Sequence, residues 1–329
     1  MTTKHFFVSL AWALGVIVAF NVFLAIRMDT VPKLIMRQMR ATPRIDILFL
    51  GNSLMQSGLD ANTFTKEWTS PNAAPVPFNA GLGSSSPVEH YLLAKQAYLH
   101  HEPIPYLVYG FYNLQLTKPQ SFAWSDLVGN RAMGYSTDPS KAASLYAPGS
   151  LFERWRFELI GAAPMLREHS ELWKYVEIFR RKLQEVGMAK AKTNEFGRIA
   201  DFETFAQSEQ AQFGQDCEKA VKDQTPFVLA IQTLLQLAHE HNTQVIFIEM
   251  PMTSDHRTQY YSTLIWQQYQ SYLQQSFKAE GALFINANDW VSDEDFSDGL
   301  HLNEAGAAVF STKIAQVMAE KFKSTPSPR

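Results

Sequence analysis

The residues best suited to chemistry are a serine near the amino terminus and an Asp/His pair near the carboxyl terminus. Ser53 follows the apolar segment Ile45–Leu50 and Gly51. Such a short apolar segment, rich in β-favouring residues, predicts a strand buried on both faces. Because ligands bind at the carboxyl ends of strands in an open α/β sheet, Ser53 is a candidate nucleophile. The alternative is a serine that only caps the next helix.

The Asp/His pair supplies the partners that a serine nucleophile needs. Asp298 and His301 are three residues apart, a spacing that lets a carboxylate contact an imidazole on a turn or in a first helical turn. Serine attack on a carbonyl requires a base and a carboxylate that orients this base. The chain supplies Ser53, Asp298 and His301 in that order. Met55 stands where a Gly-x-Ser-x-Gly elbow has its second glycine, which argues against the α/β-hydrolase fold.

Two short motifs carry a family resemblance. Gly51-Asn52-Ser53-Leu54 and Asp298-x-x-His301 resemble the first and last blocks of the SGNH (GDSL-like) hydrolase superfamily. The resemblance implies a flavodoxin-like three-layer sandwich and a Ser-His-Asp triad of Ser53, His301 and Asp298. It also implies an oxyanion hole made of the serine amide, a glycine amide of the second block and an asparagine side chain of the third. Asn52 replaces the usual aspartate at a position that is not catalytic.

The two middle blocks are less regular. The segment Asn79–Pro87 resembles the second block, and its oxyanion residue falls at Ser84, with Gly83 just before it, unless the register slips by one residue. A backbone N–H does this work, so serine can supply it; the alternative is an ordinary turn of small residues. In the third block Asn113 comes one residue late and Leu114 replaces the aspartate. Asn113 is predicted to donate its side-chain amide, and a plain loop asparagine is the alternative.

The amino terminus carries a candidate membrane anchor. The segment Phe6–Ile26 is an apolar run interrupted only by Ser9 and Asn21, which is long enough to cross a bilayer. A signal peptide is disfavoured by the length and by the lack of a convincing cleavage site, and a soluble helix by the lack of a polar face. Residues 31–39 form a basic amphipathic segment, at the membrane surface or in a solvated linker.

The charges around this segment and the family resemblance predict opposite orientations. Lys4 and the amino terminus precede the span, and five basic residues follow it: Arg27, Lys33, Arg37, Arg40 and Arg44. The positive-inside rule would keep the main domain in the cytoplasm. Family members with such a span usually hold the catalytic domain outside, and we adopt a periplasmic or extracellular location as the prediction.

Composition limits the alternatives. The chain has 329 residues, of which 46% are hydrophobic, enough for one α/β domain with an insertion or for two small domains. The net charge of −3 gives no electrostatic case for nucleic acid. The single cysteine, Cys217, excludes an intramolecular disulfide, and no zinc-type Cys/His cluster occurs. We expect neither a cofactor nor a metal.

Apolar and helical patterns predict the organisation of the chain. Five strands alternate with helices, which is typical of a mostly parallel sheet covered on both faces. The strands are predicted at Ile45–Leu50, Val76–Leu82, Pro105–Tyr112, Gln244–Met250 and Ala282–Ala287. The helices are predicted at Asp60–Trp68, Val88–His100, Pro226–His239, Ser254–Lys278 and Glu304–Phe322, with His90 on the surface.

The predicted domains are an anchor at 1–27, a linker at 28–44 and an SGNH-like domain at 45–329. A helical insertion at 114–223, with helices around Leu151–Leu159 and Glu168–Val186, is expected to form a lid or a partner surface. Its basic residues form a solvated face or a contact for anionic lipid or acidic glycan. They are Arg180, Arg181, Lys182, Lys190, Lys192 and Arg198.

The sequence predicts acyl-ester chemistry. Water as the acceptor makes an esterase, and a sugar hydroxyl makes an O-acyltransferase. By family analogy the substrate is a cell-envelope polysaccharide, and a multi-pass membrane acyltransferase is the expected partner. The alternatives are a non-catalytic assembly partner that kept the fold, and an esterase acting on phospholipids or lysophospholipids.

Overall fold

The structure is a computed structural model. It describes residues 3–27, 31–69, 74–118 and 202–321, and the short stretches 144–145, 151–152, 155, 159 and 163–167. The chain forms two compact units. The first comprises Met1–Arg37 and Gln120–Ala191, and the second comprises Gln38–Pro119 and Lys192–Arg329.

The second unit is built on one parallel sheet of five strands in the order β2-β1-β3-β4-β5. The strands are β1 Ile47–Leu50, β2 Pro77–Asn79, β3 Tyr106–Phe111, β4 Gln244–Glu249 and β5 Leu283–Asn286. All four neighbouring pairs are parallel. This is the strand order of flavodoxin-like folds, so the predicted fold class is confirmed.

Helices cover both faces of the sheet. The crossover from β1 to β2 runs one way across the sheet and the other three run the opposite way. Because such crossovers are right-handed, their helices lie on opposite faces. The helix Ala61–Lys66 packs against Glu304–Lys321, and the helix Pro87–His100 packs against Leu229–Glu240. The result is the predicted three-layer sandwich.

One predicted helix is wrong. Instead of a single helix over Ser254–Lys278, the chain forms a short helix Ser254–His256, a π-helix Arg257–Tyr261 and a separate helix Leu264–Ala279. The break is stabilised by Thr263, whose hydroxyl accepts a hydrogen bond from the N–H of Trp266 and so caps the third helix. The described part of this unit also contains the helices Ser53–Gly58 and Phe202–Lys222 and the short 3-10 helix Asp293–Asp295.

Aromatic side chains fill the core behind the carboxyl ends of the strands. Phe247 of β4 stacks on Phe277, with ring centroids 4.4 Å apart, and also packs edge-on against Phe111 of β3. All three side chains are buried. Burial of a side chain of this size stabilises the fold by about 1.5–3 kcal/mol, so this aromatic cluster stabilises the strands whose ends carry the site.

The first unit contains the helix Thr3–Arg27. Its segment His5–Leu24 has a mean hydropathy of 2.3, and only 6% of its most apolar window is buried. Among the described residues it is the one helix long and apolar enough to cross a membrane. The side-chain oxygen of Asn21 accepts a hydrogen bond from the N–H of Met165, where the short helix Pro164–Arg167 begins.

The linker contains the helix Val31–Ala41, and the predicted insertion is described only in part. Four apolar residues near Leu151–Leu159 are helical and exposed: Leu151, Phe152, Trp155 and Leu159. The predicted helix Glu168–Val186 and the basic residues between 180 and 198 lie outside the described residues.

Candidate active site

The turn after β1 requires glycine. Gly51 has a φ of +158°. A Cβ atom there would lie 2.7 Å from Cβ of Met55 and 3.0 Å from the carbonyl oxygen of Gly110. Only glycine permits this approach between the ends of β1 and β3. The chain can therefore turn at once into the helix that begins at Ser53.

Asn52, not Ser53, caps that helix. The Asn52 side chain accepts a hydrogen bond of 3.0 Å from the N–H of Leu54, and Ser53 is the first helical residue. The capping alternative for Ser53 is therefore wrong. Its hydroxyl oxygen instead lies 2.9 Å from Nε2 of His301.

The turn before the last helix holds Asp298 and His301 together. Oδ2 of Asp298 lies 2.8 Å from Nδ1 of His301, and Oδ1 accepts 2.8 Å hydrogen bonds from the N–H groups of Leu300 and His301. Burial raises the pKa of Asp298, but the hydrogen bonds from the His301 side chain and from these two N–H groups outweigh it. The resulting pKa is about 2, so the carboxyl is ionised at neutral pH.

The ionised carboxylate fixes the proton on the imidazole. Because Asp298 can only accept a hydrogen bond, Nδ1 of His301 carries the proton, and Nε2 presents its lone pair to the Ser53 hydroxyl. The His301 residue is 8% exposed, so little water competes for these atoms. The structure thus brings Ser53, His301 and Asp298 into one hydrogen-bonded chain whose geometry suits removal of a proton from Ser53.

The loop after β2 is tied to the helix that carries Ser53. The side chain of Asn79 donates hydrogen bonds to the carbonyl oxygens of Met55 and Leu59, at 3.1 and 3.0 Å. The N–H of Leu82 donates to the carbonyl oxygen of Gly51 at 3.0 Å. These contacts place the following loop beside Ser53.

Gly83 in this loop lies near the nucleophile, and Ser84 is the next residue. A Cβ atom built on Gly83 would lie 3.9 Å from Cβ of Ser53 and 2.9 Å from Oε1 of Gln56, so Gly83 is next to Ser53. Ser84 follows with a φ of +53°, a left-handed conformation that is uncommon for serine. Non-glycine residues in this region cluster at functional sites. The N–H of Ser84 is the predicted donor, and Gly83 is the alternative if the register slips by one residue.

A buried histidine supports this loop, and its predicted surface position is wrong. His90 is fully buried; its Nδ1 lies 2.7 Å from the Tyr109 hydroxyl and its Nε2 lies 2.6 Å from the Ser85 hydroxyl. Burial lowers the pKa of His90 to about 3, so the ring is neutral. Since Ser85 donates to the carbonyl oxygen of Leu82, Nε2 donates to Ser85 and Nδ1 accepts from Tyr109.

Asn113 follows β3, the strand next to β1, and has a φ of +48°. Its Oδ1 accepts a 3.0 Å hydrogen bond from the Tyr261 hydroxyl and lies 3.1 Å from Nε2 of His256. Its backbone N–H donates to the same Tyr261 hydroxyl at 3.2 Å. Within the described part of the chain its Nδ2 has no partner, so it is left as a donor at the carboxyl edge of the sheet.

Neither His256 nor Tyr261 was predicted from the sequence as a site residue. They flank a π-helical turn that helical periodicity alone does not reveal. The available signal was positional, because the segment follows directly after β4, at the edge where the ends of β1 and β3 also lie.

No protein-family model matches the chain, and no curated protein matches it. Several solved structures are similar to it, and three of them are named here. A protein designated an acylhydrolase from Bacteroides fragilis NCTC 9343 is 11% identical, with 90% of this chain and 99% of that chain covered and a TM-score of 0.41. A GDSL-like lipase from Bacteroides thetaiotaomicron VPI-5482 is 10% identical, with 88% of this chain and 98% of that chain covered and a TM-score of 0.39. A lipase/acylhydrolase from Enterococcus faecalis is 11% identical, with 87% of this chain and 99% of that chain covered and a TM-score of 0.35.

Proposed function

We propose that this protein cleaves or transfers acyl esters through a covalent acyl-serine at Ser53. The supporting observation is the chain of hydrogen bonds from Ser53 Oγ through His301 to Asp298, at 2.9 and 2.8 Å. It lies where β1 ends, at the edge of a parallel sheet where ligands bind. A serine, a base and an orienting carboxylate form the arrangement used for nucleophilic catalysis on carbonyl groups.

The reaction proceeds in two halves. Oγ of Ser53 attacks the carbonyl carbon of the ester while its proton passes to Nε2 of His301, and Asp298 stabilises the imidazolium that forms. The tetrahedral intermediate collapses when the bond to the leaving oxygen breaks and Nε2 returns the proton to that oxygen. Water or a sugar hydroxyl then attacks the acyl carbon and loses its proton to Nε2. The bond from the acyl carbon to Oγ breaks, and Nε2 returns the proton to Oγ, which restores Ser53.

The negative charge of the intermediate needs hydrogen-bond donors. The proposed donors are the N–H of Ser53, the N–H of Ser84 and Nδ2 of Asn113, with the N–H of Gly83 as the neighbouring alternative. The Asn52 cap uses the N–H of Leu54, which leaves the Ser53 N–H for the substrate. Loss of one such donor typically costs about 3–4 kcal/mol of transition-state stabilisation.

The proposed family is the SGNH (GDSL-like) hydrolases. Its support is the Gly51-Asn52-Ser53-Leu54 motif after β1, the Asp298-x-x-His301 motif before the last helix, and the strand order β2-β1-β3-β4-β5. The elbow of an α/β-hydrolase is missing, because Met55 replaces its second glycine.

The proposed substrate is an O-acylated polysaccharide of the cell envelope. This rests on the apolar helix Thr3–Arg27 acting as a membrane anchor that holds the catalytic domain outside, beside a multi-pass membrane acyltransferase. Many large apolar side chains of this helix are exposed, as expected for contact with lipid; Trp12, for example, is 73% exposed.

A fluorophosphonate probe tests the nucleophile. We expect the probe to label the wild-type chain and to leave Ser53→Ala unlabelled, with ester turnover reduced roughly 10³-fold or more. The control is Ser57→Ala in the same helix, whose hydroxyl only bonds the carbonyl oxygen of Leu54. Equal labelling of Ser53→Ala and wild type would refute the assignment. No labelling of the folded wild type would favour the non-catalytic assembly partner.

The acyl group can be identified with the same protein. We expect turnover of acetylated polysaccharide and of short-chain esters. A preference for long-chain lysophospholipids would replace the polysaccharide proposal with the lipid-esterase alternative and leave Ser53 as the nucleophile.

Reporter fusions test the orientation. With the domain outside, a phosphatase fused to the carboxyl terminus is active and a cytoplasmic reporter at the same place is silent. The reverse pattern would support the positive-inside count around Thr3–Arg27 and exclude an envelope polysaccharide as the substrate.

A further inference from the structure

We propose that Tyr261 and His256 are positioning residues that hold the Asn113 carboxamide with its oxygen turned inward, so that Nδ2 faces the substrate oxygen. This inference rests on the proposed function and adds two residues to its site. Neither is expected to touch the substrate. Each acts through Asn113, whose Oδ1 lies 3.0 Å from the Tyr261 hydroxyl and 3.1 Å from Nε2 of His256.

The hydrogen-bond pattern favours one orientation of the amide. The Tyr261 hydroxyl accepts from the Asn113 backbone N–H at 3.2 Å and donates its own proton to Oδ1. His256 Nε2 donates to the other lone pair of Oδ1, and Nδ1 of His256 is buried with no partner among the described residues. A flipped amide would leave two buried donors unpaired, the Tyr261 O–H and the His256 Nδ1–H. One unpaired acceptor costs less than two buried unpaired donors.

Both rings are held by their surroundings. Tyr261 stacks on Trp266 with centroids 4.2 Å apart and an interplanar angle of 5°, and His256 packs edge-on against Tyr261 at 5.1 Å. All three residues are buried. Burial lowers the pKa of His256 to about 4, so the ring is neutral near pH 7 and carries one proton, on Nε2. The donors to Oδ1 are therefore fixed in place and in protonation.

The π-helix provides the spacing. His256 ends a short α-helix and Tyr261 ends the π-turn, so two side chains five positions apart meet at one oxygen atom. An α-helix brings together residues three or four apart, whereas a π-turn is wider. Single π-turns are frequent at functional sites.

The same segment also contacts the loop that holds the acid–base pair. The Thr253 side chain caps the helix of His256 and donates a 3.3 Å hydrogen bond to the carbonyl oxygen of Gly299. Gly299 lies between Asp298 and His301. The donor side and the proton-transfer side of the site are thus connected through one short stretch of chain.

Kinetics of Tyr261→Phe test the proposal. The phenyl ring can keep the stack on Trp266, while Asn113 loses its strongest restraint. We expect kcat on a short-chain ester to fall about 10- to 100-fold with KM nearly unchanged, a smaller loss than the 10²- to 10³-fold fall expected for Asn113→Ala. His256→Phe is expected to act in the same direction.

The matched control is Tyr269→Phe. Tyr269 belongs to the same aromatic cluster and loses a buried hydroxyl bond of 2.7 Å to Thr117, but it does not contact Asn113. We expect its kcat to stay within about twofold of wild type. If Tyr269→Phe and Tyr261→Phe lose kcat equally, the loss comes from general destabilisation of the aromatic cluster and not from Asn113. That result would overturn the proposal.

A double mutant separates positioning from stability. If Tyr261 acts through Asn113, adding Tyr261→Phe to Asn113→Ala lowers kcat no further. Losses that multiply would refute the positioning role. If Ser53→Ala keeps full activity, the proposed function itself fails. If Ser53→Ala is inactive but Tyr261→Phe, folded by circular dichroism, turns over like wild type, only this inference fails.

Discussion

Glu249 at the carboxyl end of β4 is expected to make the stability of the fold depend on pH. Its Oε2 accepts hydrogen bonds from Gln270 at 2.7 Å and Asn288 at 3.2 Å, and its Oε1 is buried without a partner among the described residues. Burial raises the pKa of this carboxyl from 4.5 to about 7, and the two amide hydrogen bonds offset only part of the increase. A pKa difference of this size corresponds to about 3 kcal/mol.

The sign follows from proton binding. Below pH 4.5 the carboxyl is protonated in the folded and the unfolded chain, so Glu249 costs nothing. Between pH 4.5 and about 7 the unfolded chain has released this proton while the folded chain still holds it. The free energy of unfolding therefore falls as the pH rises through this window. Above pH 7 the loss of about 3 kcal/mol is complete.

Denaturant unfolding of the detergent-solubilised chain at pH 4 and pH 8, followed by tryptophan fluorescence, measures the effect. Glu249→Gln cannot ionise, so relative to this variant the wild type should lose about 3 kcal/mol on going from pH 4 to pH 8. Glu280→Gln is the control, because Glu280 is exposed. If wild type and Glu249→Gln change in parallel with pH, the reasoning from burial is refuted.

Two further predictions concern the backbone around the nucleophile. Ser84→Ala should keep most activity, because only the N–H of Ser84 is assigned to the oxyanion hole. Ser84→Pro removes this N–H and should lower kcat about 10²-fold or more. An inactive but folded Ser84→Ala would show that the side chain is needed. Gly51→Ala should lower the free energy of unfolding by at least about 2 kcal/mol and reduce activity, because the new Cβ would lie 2.7 Å from that of Met55. Gly214→Ala, in open space on a helix, should be neutral or slightly stabilising, and equal thermal shifts for the two variants would contradict the steric argument.

The features that could be predicted from sequence are the local ones. The segment around Ile47–Leu50 is apolar whichever neighbours it has, and a parallel sheet places the ends of its strands at one edge. Asp298 and His301 bond within one turn, so their spacing alone predicted their contact. The features that were missed depend on distant contacts. His90 is polar in sequence, and its burial follows from Tyr109 and Ser85. The interruption of the helix near Thr263 could not be predicted, because residues 254–278 contain neither glycine nor proline.

The chain also divides its candidate site cleanly between two halves. Ser53, Ser84 and Asn113 precede residue 119, whereas Tyr261, Asp298 and His301 follow residue 202. Along the sheet the two halves meet where β3 pairs with β4 over six residues. Cleaved between these positions, neither fragment would hold both nucleophile and base. Ester turnover by a mixture of the two fragments would therefore report their reassociation, which makes this fold a natural starting point for a split-enzyme sensor.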